Sequence, residues 1–290
     1  GLRLVYKPRP LGLDALFAAF LRWLNQSGRL LPLRPLKVLA KDGYGWIEHV
    51  EHAPCSGETG VRDFFVRTGQ LTALIYAFNG HDFHEENLIA SGDQPVPIDL
   101  EALLRPRFRL RAESSVSGAT GWTHADLLGR SVLGTSLLPV LNVRDGTPIN
   151  ISGLGVRPGR AANMQRRRSA GRTNVCFTLE DGERIEHYAD DHVDAIVEGF
   201  RRAYEVLLDH RDIIVRDWLP RAASCPVRFI FRNTSTYGKL IKQRVHPAAL
   251  RQRKVPDALV TALSRALRDE GSANRGIALL SDEVEAIDRL

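Results

Sequence analysis

Phosphoryl transfer from a nucleotide needs a cation on the phosphates, a carboxylate to orient the attacking hydroxyl, and ligands for a metal ion, because its catalysis is mainly positioning and charge stabilisation. Residues of these types occur in order along this chain. Lys7 ends the segment Arg3-Leu4-Val5-Tyr6-Lys7, Asp82 and Asn87 form an Asp-x-x-x-x-Asn pair, and Asp99 follows the next predicted hairpin. The spacing of the pair places one carboxylate at the nucleophile and one carboxamide at the metal. Each residue also has an ordinary reading: Lys7 as a solvated lysine at a strand end, Asp82 as a turn initiator, Asn87 and Asp99 as turn residues bounding the hairpin.

These residues need elements to carry them. Arg3 to Lys7 reads as a strand stopped by Pro8 and Pro10. A helix follows, capped by Asp14, with Leu16, Phe17, Phe20, Leu21, Trp23 and Leu24 at helical spacing until Asn25 and Gly28. Pro35 to Val50 reads as a hairpin around Asp42-Gly43, and Val61 to Phe78 as a helix whose Phe64, Phe65, Leu71, Leu74, Ile75 and Phe78 enter the core. From Gly80 to Glu101 the pattern becomes a polar loop, a strand Asn87 to Ala90, a turn Ser91-Gly92-Asp93, and a second strand through Ile98. Val193 to Leu208 is an amphipathic helix with Ile196, Val197, Phe200, Tyr204 and Leu207 inward, Val227 to Arg232 alternates as a half-buried strand, and Leu259 to Leu267 is another helix.

With 290 residues and 43% hydrophobic content the chain can bury a sizeable core. No stretch approaches a membrane span, and the start lacks the layout of a signal peptide, so the expectation is a cytoplasmic protein without stable membrane insertion. Cys55, Cys176 and Cys225 are too widely spaced for a disulfide framework or a zinc knuckle and read as reduced thiols. A net charge of +6 favours anionic partners. Arg166-Arg167-Arg168 with Arg172 lacks interleaved aromatics, which argues for a solvated or phosphate-contacting loop and against nucleic acid. His187 and His192 are too isolated for a metal site. The opening strand and the unfinished helix Ser281 to Leu290 read as cut ends.

Lysine on a strand of the smaller lobe, an Asp-x-x-x-x-Asn loop after a helix, and an Asp after the next hairpin is the order found in protein kinases. Two departures disfavour an orthodox kinase: the loop reads Gly80-His81-Asp82 instead of His-Arg-Asp, and Asp99 precedes Leu100-Glu101 instead of Phe-Gly. The segments Asp82-Phe83-His84-Glu85-Glu86-Asn87-Leu88-Ile89-Ala90 and Ile98-Asp99-Leu100-Glu101 resemble the dehydratase core of class II (LanM-type) lanthipeptide synthetases. The likeness continues through Val5-Tyr6-Lys7-Pro8-Arg9, Trp23-Leu24-Asn25, Asp42-Gly43-Tyr44-Gly45-Trp46, Leu137-Leu138-Pro139 and Ser152-Gly153-Leu154-Gly155. It ends with Arg228 to Thr234, Tyr237 and His246-Pro247, and so spans nearly the whole chain.

The resemblance implies an α+β, kinase-like (lipid-kinase-like) two-lobed core with helical and strand insertions. Residues 1–290 would form the dehydratase domain as a fragment of a longer protein: 1–78 a remnant of the smaller lobe and connecting helix, 79–105 the phosphorylation core, 106–290 the larger-lobe and elimination elements. It implies that ATP and magnesium serve as cofactors, with Lys7 on the nucleotide phosphates, Asp82 at the substrate hydroxyl, and Asn87 and Asp99 holding magnesium. His84 and Glu101 belong to the same phosphorylation set. Arg228 and Thr234 match the elimination residues. Without the resemblance, His84 is a loop histidine with a local hydrogen bond, Glu101 a surface carboxylate, and Arg228 with Arg232 the outer face of a strand. The implied substrate is a precursor peptide with a leader sequence, and a zinc-dependent cyclase domain is expected beyond Leu290. A glycine loop and a peptide-recognition segment are expected upstream of Lys7. Competing readings are a phosphotransferase that leaves phosphate attached and a peptide-binding pseudokinase.

Overall fold

The computed structural model describes residues 3–105, 129–139, 142–144, 147–149, 152–155, 157, 173–227 and 242. The chain divides into two compact units, one of residues 1–106 with 119–228 and the other of residues 107–118 with 229–290. All the elements named here lie in the first, which mixes helices with small antiparallel sheets in an α+β arrangement.

Strand β1 (Leu4–Lys7) pairs with β3 (Gly45–Glu48), which pairs on its other side with β2 (Val38–Ala40), all antiparallel. The Asp42-Gly43 turn between β2 and β3 has Gly43 at φ 78°, a left-handed conformation that glycine adopts at no steric cost. Between β1 and β2 lies helix α1 (Gly12–Asn25), whose Phe17, Phe20, Leu21 and Leu24 are buried as its periodicity predicts. Asp14 is not its cap. The helix begins at Gly12, and Asp14 sits inside the first turn, 3% exposed.

Helix α2 (Gly57–Ala77) starts four residues before the predicted Val61 and is buried along Leu71 to Ile75. The hairpin β4 (Leu88–Ser91) and β5 (Gln94–Pro97) turns at Gly92, φ 62°. Pro95 and Pro97 cannot donate to a ladder, and they are tolerated because among the described residues β5 pairs with β4 alone. Further on come a 3-10 turn (Val132–Thr135) capped by Ser131, then β6 (Asn142–Arg144) with β7 (Thr147–Ile149), and β8 (Cys176–Glu180) with β9 (Glu183–His187).

Helix α3 (Val193–Asp209) buries Ala195, Ile196, Gly199, Ala203, Val206 and Leu207. The expected inward residues Val197 and Tyr204 are instead exposed, at 58% and 38%, and Phe200 is half-buried. The cause is the crossing with α2: a Cβ on Gly69 would overlap the Ile196 carbonyl oxygen, and one on Gly199 would overlap that of Val66. Backbone-to-backbone contact at Gly199 fixes the rotation of α3, and at about 100° per residue this carries Val197 to the far side. A short turn Arg211–Ile213, a π-turn Ile214–Trp218 and α4 (Leu219–Ala223) complete the described unit.

The main core joins α1, α2 and α3, with Phe20 edge-on to both Phe78 and Trp218 at about 5 Å. Cys55 and Cys176, far apart in sequence, lie in it with their Sγ atoms 3.1 Å apart, both as free thiols. A smaller cluster of Leu11, Leu36, Ile47, Val50 and Val96 clamps the β1–β3–β2 sheet onto the β4–β5 hairpin. Among the described residues no helix is long and apolar enough to cross a membrane. The basic loop 163–172, the helix 259–267, and the strand 227–232 beyond its first residue lie outside the described residues.

Candidate active site

Two groups of polar side chains stand at the open end of the β4–β5 hairpin, joined through the backbone. The first is built on β1 and the residues after it. Because the small apolar cluster seats the sheet on β5, the end of β1 faces the residues that follow the hairpin. Lys7 Nζ lies 3.6 Å from Asp99 Oδ2. The other carboxylate oxygen of Asp99 accepts a 2.6 Å hydrogen bond from Arg9 Nη2. Arg9 also donates to both oxygens of Asp14, from Nη1 at 2.9 Å and Nη2 at 3.2 Å, and its Nε lies 3.4 Å from Glu101 Oε2.

One guanidinium therefore serves three carboxylates. Burial pulls its pKa down, but the hydrogen bond and charge of Asp14, then the charges of Asp99 and Glu101, more than offset this and leave it above the ordinary arginine value. Asp14 tolerates its near-complete burial because the pairing is bidentate and the first turn of α1 places it at the positive end of the helix dipole. Sequence patterning alone gives neither Arg9 nor Asp14 a place at the site. The signal it carries is weak: a second cation two residues after Lys7, and an acid five residues further on.

The second group is the loop before β4. Asp82 has φ 64°, a left-handed conformation that Asp accepts more readily than most residues. Its neighbours are pinned: His81 N–H donates to Ala102 O, and Phe83 N–H donates to Thr135 O. His84 forms an isolated antiparallel bridge with Ser152, and the next residue, Gly153, lies so close that a Cβ there would approach Phe83 O to 2.6 Å. The Leu137-Leu138-Pro139 segment backs this contact, since Leu154 N–H donates to Leu137 O and Leu137 is fully buried. Two of the motifs thus support the loop without touching its polar tip.

Within the loop, Asn87 Nδ2 donates to Asp82 O at 2.8 Å. Glu86 N–H donates to His84 Nδ1, and His84 Nε2 lies 3.3 Å from Asn87 Nδ2 and 3.7 Å from Asp82 Oδ1. Because the Asn87 nitrogen is committed to Asp82, its oxygen is the end able to face a cation. The two groups are stitched together by one backbone bond, Ile98 N–H to Asn87 O at 3.0 Å, which brings Asn87 and Asp99 to the same end of the hairpin.

The donor set fits magnesium better than a softer metal. It offers a carboxylate and a carboxamide oxygen, the hard ligands that this ion takes alongside phosphate and water. Two cations, Lys7 and Arg9, lie against the three carboxylates Asp14, Asp99 and Glu101. His187 and His192, separate in sequence, are neighbours in space with ring centroids 6.2 Å apart, and among the described residues no group of three or more His, Cys, Asp or Glu is placed to hold a metal. His192 stacks on Phe65 instead, with ring centroids 4.3 Å apart. Arg228, Thr234, Tyr237, His246 and Pro247 lie outside the described residues.

This α+β unit, with its Lys-to-Asp contact and its Asp-x-x-x-x-Asn loop, falls in a defined sequence class. A family profile described as a domain of unknown function (DUF4135) matches residues 1–290, and the chain belongs to that family. The chain is also 25% identical, over 291 residues, to the lacticin 481/lactococcin biosynthesis protein LcnDR2 of Lactococcus lactis subsp. lactis. That alignment covers 92% of this chain and 31% of the relative, so the chain spans about a third of that protein's length. Together the two matches bear out the resemblance to class II lanthipeptide synthetases drawn from the motifs.

Proposed function

We propose that the chain is the dehydratase part of a lanthipeptide synthetase, phosphorylating Ser and Thr of a precursor peptide with ATP and then eliminating phosphate. The observation that carries this reading is the Lys7–Asp99 ion pair beside the backbone bond from Ile98 to Asn87, which sets Asn87 at the same end of the hairpin. A kinase-like, two-lobed arrangement would suit it, with the β1–β3–β2 sheet as part of the smaller lobe.

In the first step Asp82 orients the substrate hydroxyl and takes its proton as the oxygen attacks the γ-phosphorus and the bond to ADP breaks. His84, which faces the Asp82 carboxylate, keeps that side chain directed. Lys7 would exchange its contact with Asp99 for the nucleotide phosphates. Asn87 and Asp99 would hold magnesium, which when bound neutralises charge on the phosphate oxygens. In the second step a base removes the α-proton, the Cβ–O bond breaks and phosphate leaves, giving dehydroalanine from Ser or dehydrobutyrine from Thr. Arg228 suits the departing phosphate, and Thr234 joins it on the strength of the family motif. A leader peptide would bring the substrate, and a zinc-dependent cyclase elsewhere in the full-length protein would act on the product.

The test is mass spectrometry of the precursor peptide after incubation with the full-length protein, ATP and magnesium. The reading predicts loss of one water per modified Ser or Thr, through a transient phosphopeptide. A stable phosphopeptide would mark a phosphotransferase without elimination, and an unchanged peptide that still binds would mark a pseudokinase.

A further inference from the structure

We infer that Arg9 is the positioning residue of the metal-binding end of this site, holding Asp99 and Glu101 in register from an anchor on Asp14. This rests on the magnesium-nucleotide reading above and adds a residue to it. Arg9 and Lys7 both touch Asp99, yet they are built differently. Lys7 makes one ion pair at 3.6 Å, which a phosphate can replace. Arg9 is locked by a fork-to-fork pair with Asp14, itself buried in the first turn of a helix that lies in the core.

That lock fixes the plane of the guanidinium. With its Asp14 edge occupied, Nη2 still reaches Asp99 Oδ1 at 2.6 Å and Nε approaches Glu101 Oε2 at 3.4 Å. The two carboxylates stand two residues apart, and the one guanidinium that reaches both fixes the direction of each. A lysine at position 9 would keep the charge, but its single nitrogen cannot serve Asp14, Asp99 and Glu101 at once. Arg9 thus sets the orientation of Asp99 before any metal arrives, as outer partners of metal ligands commonly do.

The experiment uses the full-length protein with Arg9→Lys and, separately, Asp14→Asn. The readout is binding of manganese with a non-hydrolysable ATP analogue, followed by electron paramagnetic resonance, so that no turnover is required. Thermal unfolding and the magnesium dependence of peptide phosphorylation are measured alongside. Arg9→Lys is expected to weaken manganese binding roughly 10- to 100-fold while the protein stays folded. Asp14→Asn, which changes a side chain that does not reach the metal, should weaken it in the same direction by a smaller factor. Magnesium in excess should restore most of the phosphorylation rate in both. Wild-type metal affinity in folded Arg9→Lys overturns the inference, as does a loss in both variants that only tracks their unfolded fraction. A wild-type protein that binds no manganese nucleotide overturns the nucleotide reading itself, and this inference with it.

Discussion

Asp82 and Phe83 are neighbours in sequence and opposites in the structure: the Asp82 side chain is 55% exposed, while Phe83 is wholly buried. The left-handed backbone at Asp82 makes this possible, sending one carboxylate out of a loop whose next side chain anchors the core. A strained position of this kind persists when its surroundings over-determine it, and here the bonds of His81 and Phe83 do so.

Asp82→Asn separates backbone from chemistry, because Asn accepts the same left-handed conformation. The fold and nucleotide affinity should be retained. Phosphorylation of the peptide should fall by roughly 10²- to 10⁴-fold, the contribution typical of a general base. Single-turnover mass spectrometry checks this, and a variant that phosphorylates at the wild-type rate removes Asp82 from the reaction.

Lys7→Met and Asp99→Asn should each abolish most activity. Lys7→Met should have little effect on stability, whereas Asp99→Asn also weakens the charge-assisted hydrogen bond from Arg9 and should cost about 1–3 kcal/mol. Both partners are partly solvated, so their ion pair contributes below about 1 kcal/mol to folding. Comparing melting temperature with nucleotide affinity distinguishes the two effects. A large drop in melting temperature with unchanged nucleotide binding would mark the pair as structural.

Gly199→Ala should destabilise the protein without touching the site. The added methyl meets the Val66 carbonyl, so α2 and α3 must separate, at a cost of about 3 kcal/mol or more. Val197→Ala, on the exposed face of the same helix, should cost under about 0.5 kcal/mol. Chemical denaturation of the two variants side by side is the measurement.

Stability should fall as pH drops below the ordinary histidine value of 6.5. Burial lowers the pKa of His52, His187 and His192, and for His192 the nearby His187 adds to the effect. The unfolded chain then binds protons at a higher pH than the folded one. Each contribution is therefore present in full above 6.5 and is lost as pH falls through the lowered folded values. Replacing His192 with Phe, which keeps a ring on Phe65, should flatten part of this slope in unfolding curves taken across pH.

Local patterning made much of the architecture legible. The hairpin on either side of Gly92 and the helix from Leu16 to Leu24 follow from turn residues and periodicity alone. The β8–β9 hairpin was also there to be read, since Asp181-Gly182, both with positive φ, is a strong two-residue turn signal. What local pattern does not encode is which face a neighbouring element demands. Val197 and Tyr204 fit an inward stripe until the glycine crossing turns α3 away from it. In the same way Asp14 looks like a cap until Arg9 arrives beside it, and Cys55 and Cys176 look isolated until the core brings their thiols together. At the site, Lys7, Asp82, Asn87 and Asp99 were visible as types at spacings, whereas the arginine that joins Asp99 to Glu101 was visible only in three dimensions.

The most direct measurement is a crystal structure of the full-length protein with magnesium and a non-hydrolysable ATP analogue. The account predicts Lys7 on the phosphates, Asn87 and Asp99 on the metal, and the Asp82 carboxylate open toward the γ-phosphate, with Arg9 still gripping Asp14 and Asp99. A nucleotide bound away from the open end of the β4–β5 hairpin, with Lys7 still paired to Asp99, would contradict it.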